Sequence, residues 1–168
     1  NPVLSVLGGV LGGGMSSRLW RVVRGEMGAA YYVGAENNEL TDHGYLVAHA
    51  GVHNEKLIPV VKAILKEFSR LKEELINEDE LNKVKDYIVG SLMLGLETSD
   101  SLAMFFGMQE IMTKEIINPA EFAKSIKRVT SEEVMEVARD IFTNEKLNIA
   151  VIGPVKDEAA LREVLKIA

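Results

Sequence analysis

The chain has 168 residues, enough to bury one sizeable core, and 47% of them are hydrophobic against 6% aromatic, the balance of a globular domain rich in aliphatic side chains. A formal net charge of -6, with no long run of lysine or arginine, argues against a nucleic-acid surface. Without cysteine there is neither a disulfide framework nor a thiolate metal site, which fits a reducing compartment such as the cytoplasm.

The apolar, glycine-rich start, NPVLSVLGGVLGGGM, lacks the basic leader of a signal peptide and is too short to span a bilayer, so no membrane partner is expected from it. It reads as an amphipathic or buried helix from about Pro2 to Leu11 whose earlier companion strand is missing, so that the chain begins inside a domain. Gly12, Gly13 and Gly14 then permit a turn that side chains would forbid, and Ser16 or Ser17 is placed to cap the next helix. In that helix Met15, Leu19, Val22 and Val23 share one side, and Arg24 lies opposite with Ser17 and Trp20 beside it. Gly28 stands where the helix should stop, and Ala29 to Ala35 reads as a strand with Tyr31, Val33 and Ala35 on one face.

Glycine before a helix is also how many proteins hold phosphate. A P-loop placed on Gly9 to Ser16 would need lysine where Met15 stands, however, and no G-x-G-x-x-G frame fits.

Asn37 to Gly44 is dense in turn formers and joins the first strand to a second, Tyr45 to Val52, as an antiparallel hairpin. Both faces of that second strand are fairly apolar, which suits a strand inside a sheet. From Leu57 the period changes: Leu57, Val61, Ile64, Phe68, Leu71 and Leu75 recur at helical steps, with Pro59 near the first turn. Asn77 and Glu80 form an N-x-x-E capping box for a helix through Leu81, Val84 and Ile88. The run SLMLGLETSDSLAMFFGM reads as mostly helical with a break near Thr98 to Asp100, its methionines and paired phenylalanines as core. Asn118-Pro119 with Glu121 opens a further helix, and Thr130 with Glu133 another, stapled by Val129 and Val134. Leu147 to Ile152 reads as a short buried strand closed by Gly153-Pro154, and a last helix turns Leu161, Val164 and Leu165 inward. The sum is an α+β class, an antiparallel sheet covered by helices, in one domain over residues 1–168.

His49-Ala50-Gly51-Val52-His53 invites a metal reading, but two histidines four apart converge on one ion from a helix, whereas on a strand they stand about 13 Å apart. No metal is therefore expected in this chain, and His43 beside Gly44 reads as a turn residue. Arg24 and Tyr31, taken by their spacing alone, read as a solvated helix charge and a strand packing residue rather than as a site.

The stretch GGGMSSRLWRVVRGEMGAAYYV resembles the signature of the second, non-zinc-binding domain of the pitrilysin, insulin-degrading enzyme and mitochondrial processing peptidase family of zinc endopeptidases. The family's glycine-containing loop, Ser-Arg-Leu element, arginine, and tyrosine seven residues later match Gly12 to Gly14, Ser17-Arg18-Leu19, Arg24 and Tyr31. The resemblance implies a fragment of a larger two-domain peptidase, in which this domain and a zinc-bearing one, on the same or a partner chain, enclose an extended peptide substrate. It further implies that Arg24 binds a substrate carbonyl and Tyr31 the oxyanion, that the loop of Gly12, Gly13, Gly14, Ser16 and Ser17 lies along the substrate, and that zinc sits in the partner catalytic domain. His49-Ala50-Gly51-Val52-His53 has the outline of the family's His-x-x-Glu-His with valine where the general base would stand. The same resemblance admits a catalytically inactive scaffold or partner subunit, and association with another copy or domain is expected in either case.

Overall fold

A computed structural model describes residues 1–155 and 157–167. Its elements are α1 (Pro2–Gly12), a π-helix (Trp20–Glu26), β1 (Ala30–Glu39), β2 (Gly44–Val52), a short 3-10 turn (Asn54–Lys56), α2 (Leu57–Glu73), α3 (Glu78–Gly95), α4 (Ser99–Met112), α5 (Pro119–Arg128), α6 (Ser131–Ile141) and α7 (Glu158–Val164). β1 and β2 form an antiparallel hairpin, so the class is α+β with a helix-covered sheet, as the sequence pattern implies.

The hub is α1. Val6, Leu7, Val10 and Leu11 are wholly buried, and the helix touches β1, β2, α3, α5 and α6. Each such side chain contributes about 1.5–3 kcal/mol through burial, and glycines on the same helix let its neighbours come close. A Cβ on Gly12 would sit 1.8 Å from the Ala35 amide nitrogen, because the β1 backbone crosses the end of α1 there. On the far side, Phe68 of α2 and Phe142, next after α6, stack with centroids 4.3 Å apart, closing a core whose members run from Val6 to Ile167. A second cluster of Val23, Ala29 and Val60 pins the π-helix to the hairpin and to α2.

The helix caps follow the sequence closely. Asn118 with Glu121 and Thr130 with Glu133 make complete capping boxes, and the Val129 and Val134 of the expected staple are both buried. Asn77 makes only its half: its side chain accepts from the Glu80 amide at 2.9 Å, while the Glu80 carboxylate turns to Arg18. A charged partner outcompetes a backbone amide for a carboxylate.

Five expectations are corrected. The first strand runs to Glu39, and β2 is an edge of a two-stranded sheet among the described residues, with none of its residues fully buried. Leu147 to Ile152 is irregular: Leu147 packs against the core, but the rest is open, Ile152 being fully exposed, and among the described residues no strand runs beside it to take its backbone hydrogen bonds. The helices break at Thr98 as expected, yet α4 buries no residue: Met104, Met108 and Ile111 face outward, and Phe105 and Phe106 pack edge to face on one another. Apolar content was a poor guide to depth there, since burial needs an opposing element and α4 lies against none closely. Leu75, beyond the end of α2, is likewise exposed.

Candidate functional site

The segment after α1 reaches its helix through a turn in which the Ser17 amide donates to the Gly14 carbonyl at 3.0 Å. Neither serine caps that helix: its start carries no side-chain cap, and the Ser17 Oγ is buried without a hydrogen-bond partner. Ser16 is exposed, Met15 is exposed in the turn rather than on the helix face, and Gly14 lies 3.5 Å, measured from an added Cβ, from the Tyr87 ring. Trp20 to Glu26 then winds as a π-helix, with the Met27 amide reaching back to the Val22 carbonyl at 3.0 Å. The wider winding shifts the angular order expected for an α-helix. Arg18, Leu19 and Val23 point inward, and Arg24 points out with its guanidinium carbon 5.9 Å from the centre of the Trp20 ring.

Gly28 closes the helix at φ +54°, a conformation that L side chains rarely adopt. The hairpin register then slips: Ala30 pairs with Val52 and Tyr32 with Gly51, which leaves Tyr31 as the extra residue of a β-bulge. The bulge has two consequences. It takes Tyr31 off the face it would share with Val33 and Ala35, which pack on the core, and leaves it 67% exposed. It also frees the Tyr31 carbonyl for Arg24, whose Nη1 donates to it at 2.9 Å. The two residues matched by the seven-residue spacing are thus brought into direct contact, backbone oxygen to guanidinium.

The Tyr31 hydroxyl lies 2.9 Å from Nε2 of His53, with ring centroids 5.2 Å apart. The neighbouring Tyr32 goes the other way, lying over Gly51, where a Cβ would come within 2.3 Å of its ring, and beside His49 at 6.1 Å. His49, on β2, and His53, just past its end, therefore each attend a different tyrosine. His43 sits in the hairpin turn, where its carbonyl accepts from the Leu40 amide at 2.9 Å.

Behind this surface is a charge chain that the sequence pattern did not reveal. Arg18, 4% exposed, grips Glu80 with Nε and Nη2 at 2.8 and 2.9 Å, and its Nη1 is 3.8 Å from the buried Glu67. Arg70 holds Glu67 at 3.1 Å and Glu74 at 2.9 Å. The hydrogen bond from Arg70 is the main cause that lowers the Glu74 carboxyl below its ordinary range, and the same contact raises Arg70. A depression of about 390 Å³ beside this chain, lined by Arg21, Lys62, Lys66 and Glu67 among others, does not include Arg24 or Tyr31.

Among the described residues no helix is long and apolar enough to cross a membrane. Residues 1–88 match the family described as peptidase M16 inactive domain. An uncharacterized zinc protease of Streptomyces coelicolor is 33% identical over 159 residues, 95% of this chain and 34% of that protein. Another from Bacillus subtilis is 34% identical over 151 residues, 90% of this chain and 37% of that protein. The chain thus spans about a third of the length of these relatives. A conserved protein from Enterococcus faecalis superposes with a TM-score of 0.72 at 25% identity, over 82% of this chain and 32% of that one. A peptidase M16 inactive domain from Pseudomonas fluorescens gives 0.74 at 18% identity, over 83% and 33%, and shares the fold. From sequence and fold alike, the chain belongs to the M16 family of zinc proteases, in the part of it called the inactive domain.

Proposed function

We propose that this chain is the substrate-clamping and transition-state-stabilising half of a zinc-dependent metalloendopeptidase whose zinc is held by a separate catalytic domain. The observation that carries the reading is the paired exposure of Arg24 and Tyr31, locked to each other by the 2.9 Å bond from the guanidinium to the Tyr31 carbonyl. A cation and a phenol presented together from a rigid bulge suit a peptide backbone: the guanidinium has donors to spare for a carbonyl, and the phenol can donate to the oxygen that gains charge. Of the glycine loop, Ser16 is exposed and free to meet a peptide, whereas Ser17 is buried and Gly12 lies against the β1 backbone, so the loop's part in the reading rests on Ser16 and the backbone of Gly13 and Gly14.

Arg24→Ala tests the clamp in the complete peptidase, with the zinc domain present. KM for a quenched peptide is expected to rise about tenfold and turnover to fall, since a charge-assisted hydrogen bond is lost in both ground and transition state. Unchanged KM and turnover would overturn the clamp. The scaffold reading is favoured by one feature, that both polar tips already have partners within the chain; it expects Arg24→Ala to leave hydrolysis unchanged.

The exposed apolar residues of α3 and α4, Leu94, Met104, Met108 and Ile111, support association with another domain or copy. By itself the chain should sediment as a concentration-dependent dimer or larger species. A sharp monomer at high concentration would contradict this.

A further inference from the structure

Tyr31 is held at two points, its carbonyl by Arg24 and its hydroxyl beside Nε2 of His53. The second contact is not needed for folding, because both side chains are exposed and an exposed hydrogen bond is largely exchanged for water. His53 is nevertheless well placed. It follows β2 in extended conformation, φ -65° and ψ 144°, and its carbonyl accepts from the Lys56 amide at 2.8 Å to start the 3-10 turn, so its ring is carried by ordered backbone.

A phenol has one hydrogen, and the imidazole tautomer decides where it goes. With Nε2 bare, the Tyr31 hydrogen points at the ring and is withdrawn from a peptide. With hydrogen on Nε2, the imidazole donates to the phenol oxygen, the O–H is free to turn outward, and the bond it receives strengthens it as a donor. Only the second arrangement lets Tyr31 donate to an oxyanion. We infer that His53 is a positioning residue for Tyr31, donating from Nε2 to the phenol oxygen so that the Tyr31 O–H faces the bound peptide. The inference rests on the oxyanion role proposed for Tyr31. His49 is not an alternative, since it attends Tyr32.

The test is a double-mutant cycle in the complete peptidase on one quenched peptide, with thermal unfolding of every variant. His53→Ala is expected to lower kcat about five- to tenfold, the loss of one orienting hydrogen bond, with KM within about twofold and unfolding unchanged. His53→Gln, whose amide nitrogen can occupy the Nε2 position, should retain most of the turnover. In a Tyr31→Phe background His53→Ala should cost nothing more. If Tyr31→Phe impairs turnover while His53→Ala does not, the role of His53 is overturned and the oxyanion reading stands. If Tyr31→Phe has full turnover, both fall. An equal loss from His53→Ala in both backgrounds, a glutamine variant no better than alanine, or a loss matched by lowered unfolding temperature would each overturn the positioning role.

Discussion

Tyr31→Phe is expected to reduce turnover of the complete peptidase about 10²-fold while leaving KM for the peptide nearly unchanged, the pattern of an oxyanion donor that acts only as charge develops. The structure makes this a clean substitution. The hydroxyl is exposed, so its removal strands no buried polar group, and its protein partner is the exposed His53. The contact with Arg24 runs through the Tyr31 carbonyl and survives the change, as does the bulge that places it. Phenylalanine therefore keeps the clamp, the ring and the backbone, and loses one O–H. Steady-state kinetics with thermal unfolding as a folding check decide the matter: full turnover in a folded variant would remove Tyr31 from the chemistry.

Local chemistry was legible in the sequence at several positions where a residue's neighbours along the chain determined its state, though not at Ser16 and Ser17, neither of which caps its helix. The caps at Asn118 and Thr130, the stop at Gly28 and the helical stripe from Leu57 to Leu71 all depend on residues within a few positions, and the structure shows each of them. What was not legible depended on partners far away in sequence. The bulge at Tyr31 is a property of two strands together, and the Glu80 carboxylate leaves its capping box for a guanidinium 62 residues away. Among the described residues, Leu147 to Ile152 has a strand's composition without a strand beside it, and α4 a core's composition while burying none of its residues. His53 shows the same limit at the site. Four residues from His49, it invites a zinc reading but lies against a tyrosine instead, and the clue is the hairpin: counting back from Glu39 opposite Gly44 brings Tyr31 to the end of β2, where His53 follows. The Arg24 and Tyr31 pair itself came from resemblance, since spacing alone gave no reason to prefer a site over a solvated charge and a strand residue.

Arg18→Ala should be the most destabilising single change in this region, at about 3 kcal/mol, and should leave turnover per folded enzyme intact. Removing one partner of a buried ion pair costs more than the pair contributes, because the other charge stays behind. Here two carboxylates are affected differently. Glu67, 2% exposed, keeps Arg70 at 3.1 Å and so is not stranded. Glu80 loses both of its hydrogen bonds from Arg18, but its side chain is 22% exposed and can take up water or return toward the Asn77 amide to complete the capping box. That partial relief puts the expected loss at the low end of the range for broken buried pairs. Arg18→Met separates charge from packing, since it retains an apolar stem in the space that the guanidinium's methylenes fill. If charge dominates, Arg18→Met should lose nearly as much as alanine, and adding Glu80→Gln to it should recover part of the loss by removing the unpaired carboxylate. Urea midpoints of the three variants, alongside kcat corrected for folded fraction, would read this out. A midpoint unchanged in Arg18→Ala would mean the buried chain from Glu80 through Arg18 to Glu67 does not hold α3 and α2 to the start of the π-helix; reduced kcat in a stably folded Arg18→Ala variant would move Arg18 from support to the catalytic surface.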